Sequence, residues 1–101
     1  MKYVSTRSTG AAAQMGGFQD ILLEGLAQDG GLAMPDAIPK VDAATLAAWS
    51  ALPYPKLAAE IISHFANDID RSVIDRLCNQ AYTIEKFGSP DIAPLTALGI
   101  E

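Results

Sequence analysis

Two amphipathic stretches lie almost end to end in the second half of the chain, and they constrain its fold more than any other feature. Residues 55–66 carry one helical face of apolar side chains, namely Leu57, Ala58, Ile61, Ile62 and Phe65. A second helix, with Asp70 as its expected cap, continues to about Tyr82 or Ile84. Its apolar positions are Val73, Ile74, Leu77, Cys78, Ala81 and Tyr82. Because a few residues join the two stretches, we expect an antiparallel helical hairpin.

Two short extended pieces precede this hairpin. Residues 2–6 are β-branched and aromatic, which predicts a strand that points Tyr3 and Ser5 to the same face. Residues 31–34 predict a second strand, which Pro35 ends by removing a backbone donor. Two paired strands are marginal alone, so we expect a helix to pack on them.

Shorter helices and a loop fill the rest of the chain. Residues 8–17 are rich in glycine and alanine and predict a loop, and a helix follows from Phe18 until Asp29-Gly30-Gly31 stops it. Asp42 predicts the N-cap of a further helix over residues 43–49 or 43–50. The expected fold class is therefore α+β, a mostly helical small domain with about four helices and a short two-stranded sheet.

Composition limits the function more than it identifies it. The chain has 101 residues, a formal net charge of −5 and no cluster of basic residues, so nucleic acid and anionic membranes are poor partners. One cysteine permits no intrachain disulfide, and the start lacks the apolar core of a signal peptide, so we expect a cytoplasmic protein. We expect a domain over residues 1–90 and an extended exit segment over residues 91–101, which is flanked by prolines.

Most candidate chemical groups have a plain structural explanation. His64 follows Glu60 by one turn, which predicts a pair on the helix flank, with catalysis or metal binding as the alternative. Cys78 lies in an apolar stripe and is expected to be buried, the alternative being a reactive thiol. Gly16-Gly17 precedes a helix and indicates a structural turn or, alternatively, an anion site. Three carboxylates near a helix start favour capping over a calcium site: Asp68, Asp70 and Asp75.

The run Ser5-Thr6-Arg7 places two hydroxyls and a guanidinium at the end of a strand. Arginine suits carboxylate or phosphate, so these three residues are the substrate-facing candidates, and a solvent-exposed strand end is the alternative. The residues by themselves identify no complete catalytic set, no cofactor site and no metal site. They indicate a domain that docks rather than reacts.

The order of the motifs resembles the N-terminal domain of threonine synthase. The resemblance covers nearly the whole chain, and it depends on the order and spacing of motifs that are weak individually. Four segments carry it: Lys2-Tyr3-Val4-Ser5-Thr6-Arg7, Leu22-Leu23-Glu24-Gly25-Leu26-Ala27 with Asp29-Gly30-Gly31-Leu32 and Pro35, the helical middle from Trp49 to Phe65, and Ala81-Tyr82, Phe87 and Asp91-Ile92-Ala93-Pro94-Leu95. Ser8 stands where the family usually has glycine, and Ala33 where it often has an aromatic residue.

This resemblance implies a pyridoxal-phosphate enzyme, a phosphate-eliminating lyase that converts O-phospho-L-homoserine and water to L-threonine and phosphate. In the family, the lysine that binds the cofactor lies in a later α/β catalytic region. Lys2, Lys40, Lys56 and Lys86 match no cofactor motif, so we expect a fragment that is inactive alone and binds no cofactor covalently. Its implied role is to pack on the missing catalytic region and to help form the substrate cleft. The alternative is a free-standing helical module that binds another protein.

Several apolar residues near the two ends are not needed by the predicted helical core: Tyr3, Val4, Ile92, Leu95, Leu98 and Ile100. We expect them to form an exposed docking face, because a fragment leaves bare the surface that its missing region covers. A concentration-dependent homodimer is the expected consequence, and a frayed tail is the alternative.

Overall fold

The computed structural model describes residues 1–99. Over these residues the chain forms three strands, β1 (Tyr3–Ser5), β2 (Gln14–Gly16) and β3 (Ala33–Pro35), and a 3-10 turn at Gly10–Ala13. It also forms five α-helices: α1 (Phe18–Glu24), α2 (Ala43–Trp49), α3 (Tyr54–Phe65), α4 (Arg71–Ala81) and α5 (Ile84–Phe87). The α+β fold class and the predicted helical hairpin, α3 and α4, are confirmed.

The sheet has one more strand than the sequence predicts. Its order is β2-β1-β3, and both pairs are antiparallel. The predicted pair is present as β1 and β3, with Val4 opposite Met34. The additional strand, β2, lies within the segment expected to be a loop, because the second edge of β1 supplies hydrogen-bonding groups that local propensity does not reveal.

Helix α1 is shorter than expected. It ends at Glu24 because Gly25 adopts a positive φ of 78°, whereas the sequence placed the stop at Asp29-Gly30-Gly31. At the next helix the expectation is confirmed, since the Thr45 backbone N–H donates to Asp42 Oδ1 at 2.8 Å. Asp70 does occupy the N-cap position of α4, but its carboxylate makes no capping hydrogen bond within the described residues.

The core lies between α3 and α4. Its buried residues are Ala59, Ala66, Ile74 and Cys78, and α1 contributes Phe18 to it. The burial predicted for Cys78 is confirmed at 4% exposure, and it raises the pKa of the thiol, with a further contribution from Asp75. Tyr3 joins the sheet to this core, because its hydroxyl donates to the Phe65 carbonyl at 2.5 Å.

The expected docking face is wrong for two of its members. Tyr3 and Ile92 are 4% and 6% exposed. Tyr3 packs beside Phe18, and Ile92 lies in a turn, where its N–H donates to the Ser89 carbonyl at 3.0 Å and its φ is +64°. Such a φ is an outlier for a β-branched residue, so tertiary packing holds it there. Leu95 and Leu98 are fully exposed as predicted, Val4 is half-buried, and Ile100 lies outside the described residues.

Candidate functional site

The end of β1 and the turn before β3 meet at one place, although they are far apart in the sequence. The Thr6 N–H donates to the Leu32 carbonyl at 3.0 Å, and the Leu32 N–H donates to Thr6 Oγ1 at 2.9 Å. These two bonds extend the β1–β3 pairing past its last strand residues. The pairing therefore brings Ser5-Thr6-Arg7 against Asp29-Gly30-Gly31.

Asp29 is the centre of this junction. Its Oδ1 accepts hydrogen bonds from Ser5 Oγ at 2.6 Å and from the Gly31 N–H at 2.9 Å, and its Oδ2 accepts one from Ser8 Oγ. These donors, with Ser5 first, lower the pKa of the Asp29 carboxyl to about 2. The carboxylate is thus ionised and oriented at neutral pH.

Ser5 acts within this network rather than on its surface. The alternation along β1 places it on the same face as Tyr3, as predicted, and that face is buried, so Ser5 is 5% exposed. Its hydroxyl donates to Asp29 and accepts from the Arg7 N–H at 3.2 Å, so both functions of the hydroxyl are used inside the protein. Thr6 and Arg7 are exposed.

The two glycines of the turn allow this close approach. A Cβ at Gly31 would collide with Ser5 Oγ and would lie 3.0 Å from both the Arg7 backbone nitrogen and Asp29 Oδ1. Gly30 has a φ of +80°, and a Cβ there would lie 2.7 Å from Arg7 Nη1. Gly31 therefore requires glycine for space, and Gly30 requires it for its backbone conformation, since the exposed guanidinium of Arg7 could move aside.

Arg7 retains hydrogen-bonding capacity. Its Nη1 donates to the Asp29 carbonyl at 3.3 Å, which holds the guanidinium against the turn. Within residues 1–99 the ion pairs both belong to Arg71, which bonds Glu60 at 3.0 Å and Asp75 at 2.9 Å. The guanidinium of Arg7 thus has N–H groups available for an anion.

A polar cavity of about 450 Å³ adjoins the junction. Six polar side chains line it: Ser5, Ser8, Gln14, Glu24, Gln28 and Asp29. Because two of them are carboxylates, the cavity is unsuited to a phosphate group, and Arg7 does not line it. An anion would therefore contact the exposed side of Arg7 rather than enter the cavity.

The other candidates from the sequence have structural roles here. Gly16 ends β2 and Gly17 is the N-cap of α1. Carboxylates occupy this helix start, because Asp20 accepts from the Gly17 N–H at 2.9 Å and Asp68 from the Gln19 N–H at 3.0 Å. The expected pairing of Glu60 with His64 is wrong, since Glu60 bonds Arg71.

The ring of His64 instead lies 5.5 Å from that of Trp49. Across residues 1–99 there is no group of three or more His, Cys, Asp or Glu side chains that could hold a metal ion. None of the helices within those residues is both long and apolar enough to cross a membrane.

The lysines do not fit the cofactor that the resemblance implies. All four are exposed. Lys56 lines a cavity of about 290 Å³ together with Arg71, Glu60 and Asp75, but the guanidinium of Arg71 is already engaged by both carboxylates. This chain therefore offers no site that combines a lysine with a phosphate cradle among its described residues.

Sequence reasoning did not identify Asp29 as part of a site, because Asp29-Gly30-Gly31 also has the composition of a helix stop. The one available signal was the pair of adjacent glycines after a carboxylate, which favours a close backbone approach as well as a turn. Ser8 departs from the glycine that is usual in the family, and its hydroxyl donates to Asp29.

Comparisons with known proteins agree on one family. The family model described as "Threonine synthase N terminus" matches residues 2–82. Threonine synthase of Corynebacterium glutamicum is 45% identical over 97% of this chain, and threonine synthase-like 2 of Xenopus laevis is 41% identical over the same share. A crystal structure of PLP-bound threonine synthase from Brucella melitensis superposes with a TM-score of 0.82 at 36% identity, covering 96% of this chain. The chain spans about a fifth of the length of these relatives (21%, 20% and 20%).

Proposed function

Because this chain belongs to the threonine synthase N-terminus family, we propose that it is the N-terminal domain of a PLP-dependent threonine synthase in threonine biosynthesis. The intact enzyme would convert O-phospho-L-homoserine and water to L-threonine and phosphate. The observation that carries the proposal is a family match that spans residues 2–82, together with relatives named threonine synthase over 97% of the chain. Pyridoxal phosphate would be held by the catalytic region, since the lysines of this domain do not fit it.

The role of the domain in that enzyme is structural. Four apolar side chains on and after α1 are exposed: Leu22, Leu23, Leu26 and Leu32. Burial of each leucine against another surface contributes about 1.5–3 kcal/mol. A catalytic region packed on this face would gain that free energy, and it is the partner that we propose. Residues 1–90 would form the packed domain and residues 91–101 the exit segment toward the catalytic region.

The domain also supplies one wall of the substrate cleft. The strand end Ser5-Thr6-Arg7 borders that cleft in this proposal. Arg7 makes the direct contact because its guanidinium is exposed and, among the described residues, only one of its N–H groups has a protein partner. Ser5 holds the strand end in place through Asp29. A guanidinium suits the phosphate and carboxylate groups of O-phospho-L-homoserine.

The full gene product tests this proposal. The purified protein should release phosphate and form threonine from O-phospho-L-homoserine, whereas residues 1–101 alone should do neither. Incubation of residues 1–101 with pyridoxal phosphate and borohydride should leave no stoichiometric adduct on a single lysine by mass spectrometry. A stop codon directly after Glu101 in the native gene, or an inactive full-length product that retains its fold, would instead favour the free-standing interaction module.

A further inference from the structure

The position of Arg7 depends on Asp29 through three separate contacts. The Asp29 carbonyl accepts a hydrogen bond from Arg7 Nη1 at 3.3 Å. Its carboxylate holds Ser5, whose hydroxyl oxygen in turn accepts from the Arg7 N–H at 3.2 Å. Its second carboxylate oxygen holds Ser8, the residue that follows Arg7. Both the backbone and the side chain of Arg7 are thus bounded by groups that Asp29 orients.

The direction of these bonds leaves Arg7 free for a ligand. The carboxylate of Asp29 accepts from two hydroxyls and one backbone N–H, so its lone pairs are directed to neutral donors rather than to the guanidinium. Among the described residues, the guanidinium makes one hydrogen bond, which the Asp29 carbonyl accepts from one of its five N–H groups. The remaining N–H groups keep a planar, forked arrangement that matches the oxygens of a phosphate.

We infer that Asp29 is a positioning residue, which holds the Ser5–Ser8 segment so that Arg7 presents its free N–H groups to the phosphate of the substrate. This inference rests on the proposed function, in which Arg7 faces O-phospho-L-homoserine. A phosphate group carries a charge of about −1.5 to −2 at neutral pH, so a fixed guanidinium attracts the phosphate of the substrate more strongly than it attracts the carboxylate of the substrate. A mobile guanidinium loses side-chain entropy on binding, and pre-organisation by Asp29 removes part of that cost.

The experiment uses the full-length enzyme and steady-state kinetics with O-phospho-L-homoserine. Four variants are compared: D29N, S8A, R7Q and the double variant R7Q/D29N. The amide of D29N has no charge and carries an NH2 donor where Oδ2 accepts, so the Ser8 hydroxyl loses its acceptor and must reverse its hydrogen bond, which weakens the hold on Ser5 and Ser8. D42N is the matched control, because Asp42 is also a carboxylate that accepts a backbone N–H, at the start of α2.

The expected result is a change in KM rather than in kcat. R7Q should raise KM and the inhibition constant of inorganic phosphate by about tenfold or more, and D29N by roughly fivefold, with kcat within about twofold. The double variant should resemble R7Q, because Asp29 acts through Arg7. S8A should shift the same two constants in the same direction by a smaller factor, and it carries the test if D29N does not fold. D42N should leave both constants unchanged.

The inference is overturned, with the enzyme still active, if D29N and S8A match D42N, if the effects in the double variant multiply fully, or if kcat falls at constant KM. A change in KM without a change in the inhibition constant of inorganic phosphate would place Arg7 at the carboxylate instead, and would also overturn it. Inactivity of the unmodified full-length enzyme would refute the proposed function and, with it, this inference.

Discussion

Replacing Tyr3 by phenylalanine should lower the free energy of unfolding, because it removes a hydrogen bond between the sheet and the helices while it keeps the buried ring. The hydroxyl of Tyr3 donates to the Phe65 carbonyl at 2.5 Å, and the ring lies 6.1 Å from that of Phe18. Phenylalanine retains the aromatic contact but leaves a partly buried carbonyl near the end of α3 without this donor. Loss of such a bond costs about 1–2 kcal/mol of unfolding free energy.

For a domain of this size, that loss corresponds to a decrease in Tm of roughly 5–15 °C. The measurement is urea and thermal unfolding of residues 1–101, followed by far-ultraviolet circular dichroism and by the fluorescence of Trp49. Tyr54→Phe is the matched control, because Tyr54 is partly exposed and its hydroxyl makes no hydrogen bond within the described residues. The control should change stability by less than about 0.5 kcal/mol.

The Tyr3 hydroxyl also makes the difference in stability between the unmodified protein and Y3F depend on pH. Burial, and then the charge of Asp68, raise the pKa of Tyr3 above its ordinary value of 10.0. The unfolded chain therefore ionises first, so the contribution of this group to stability is complete below about pH 10 and is lost as pH rises toward the higher pKa of the folded state. Y3F should lack this alkaline loss. If Y3F and Y54F are equally stable at pH 7, the assignment of Tyr3 as the link between sheet and helices is refuted.

Three further predictions concern other parts of the chain. Because the pKa of Asp29 is lowered from 3.8 to about 2, its ionised carboxylate stabilises the fold above pH 3.8, and this stabilisation is lost as pH falls through about 2. The free energy of unfolding of D29N should therefore decline less steeply below pH 3.8 than that of the unmodified protein. Parallel declines of the two proteins would contradict the hydrogen-bond network around Asp29. Cys78 should react slowly with a thiol reagent in the native state and fast in denaturant, so native labelling at the denatured rate would contradict its burial in the α3–α4 core. Residues 1–101 alone should form a concentration-dependent dimer in sedimentation equilibrium. The double variant L23S/L26S should weaken this dimer, and L98S should not. A strictly monomeric chain, or a dimer that L98S weakens more than L23S/L26S does, would show that the face beside α1 does not associate.

Local chemistry in the sequence determined much of this fold. The hairpin of α3 and α4 follows from two apolar stripes with a short connection, and the shared face of Tyr3 and Ser5 follows from the alternation of a strand. The cap at Asp42 depends on a residue only three positions away. Each of these features is set by neighbours within a turn or two, so the residues alone specify it. That the shared face of Tyr3 and Ser5 is the buried one was not predicted, because Tyr3 was expected in the exposed docking face.

Only half of the candidate site was predictable from the sequence, because the other half depends on residues that are far apart along the chain. Ser5-Thr6-Arg7 was identified from its residue types, but Asp29 lies 24 residues beyond Ser5, and only the β1–β3 pairing brings its carboxylate to that hydroxyl. The carboxylate of Asp68 likewise contacts the Gln19 N–H across 49 residues. Propensity does not encode such partners, because a hydroxyl or carboxylate bonds equally well to any suitable group that the fold places beside it.

The remaining differences arise where packing overrides local preference. Strand β2 forms in a small, flexible segment because β1 offers it an unpaired edge, and His64 meets Trp49 because α2 packs near α3. Ile92 keeps a φ of +64° that its branched side chain disfavours, since a buried position repays the strain. The sequence determined which elements form and which faces they bury, and the tertiary structure decided which distant groups meet, because that choice depends on packing free energy summed over the whole domain.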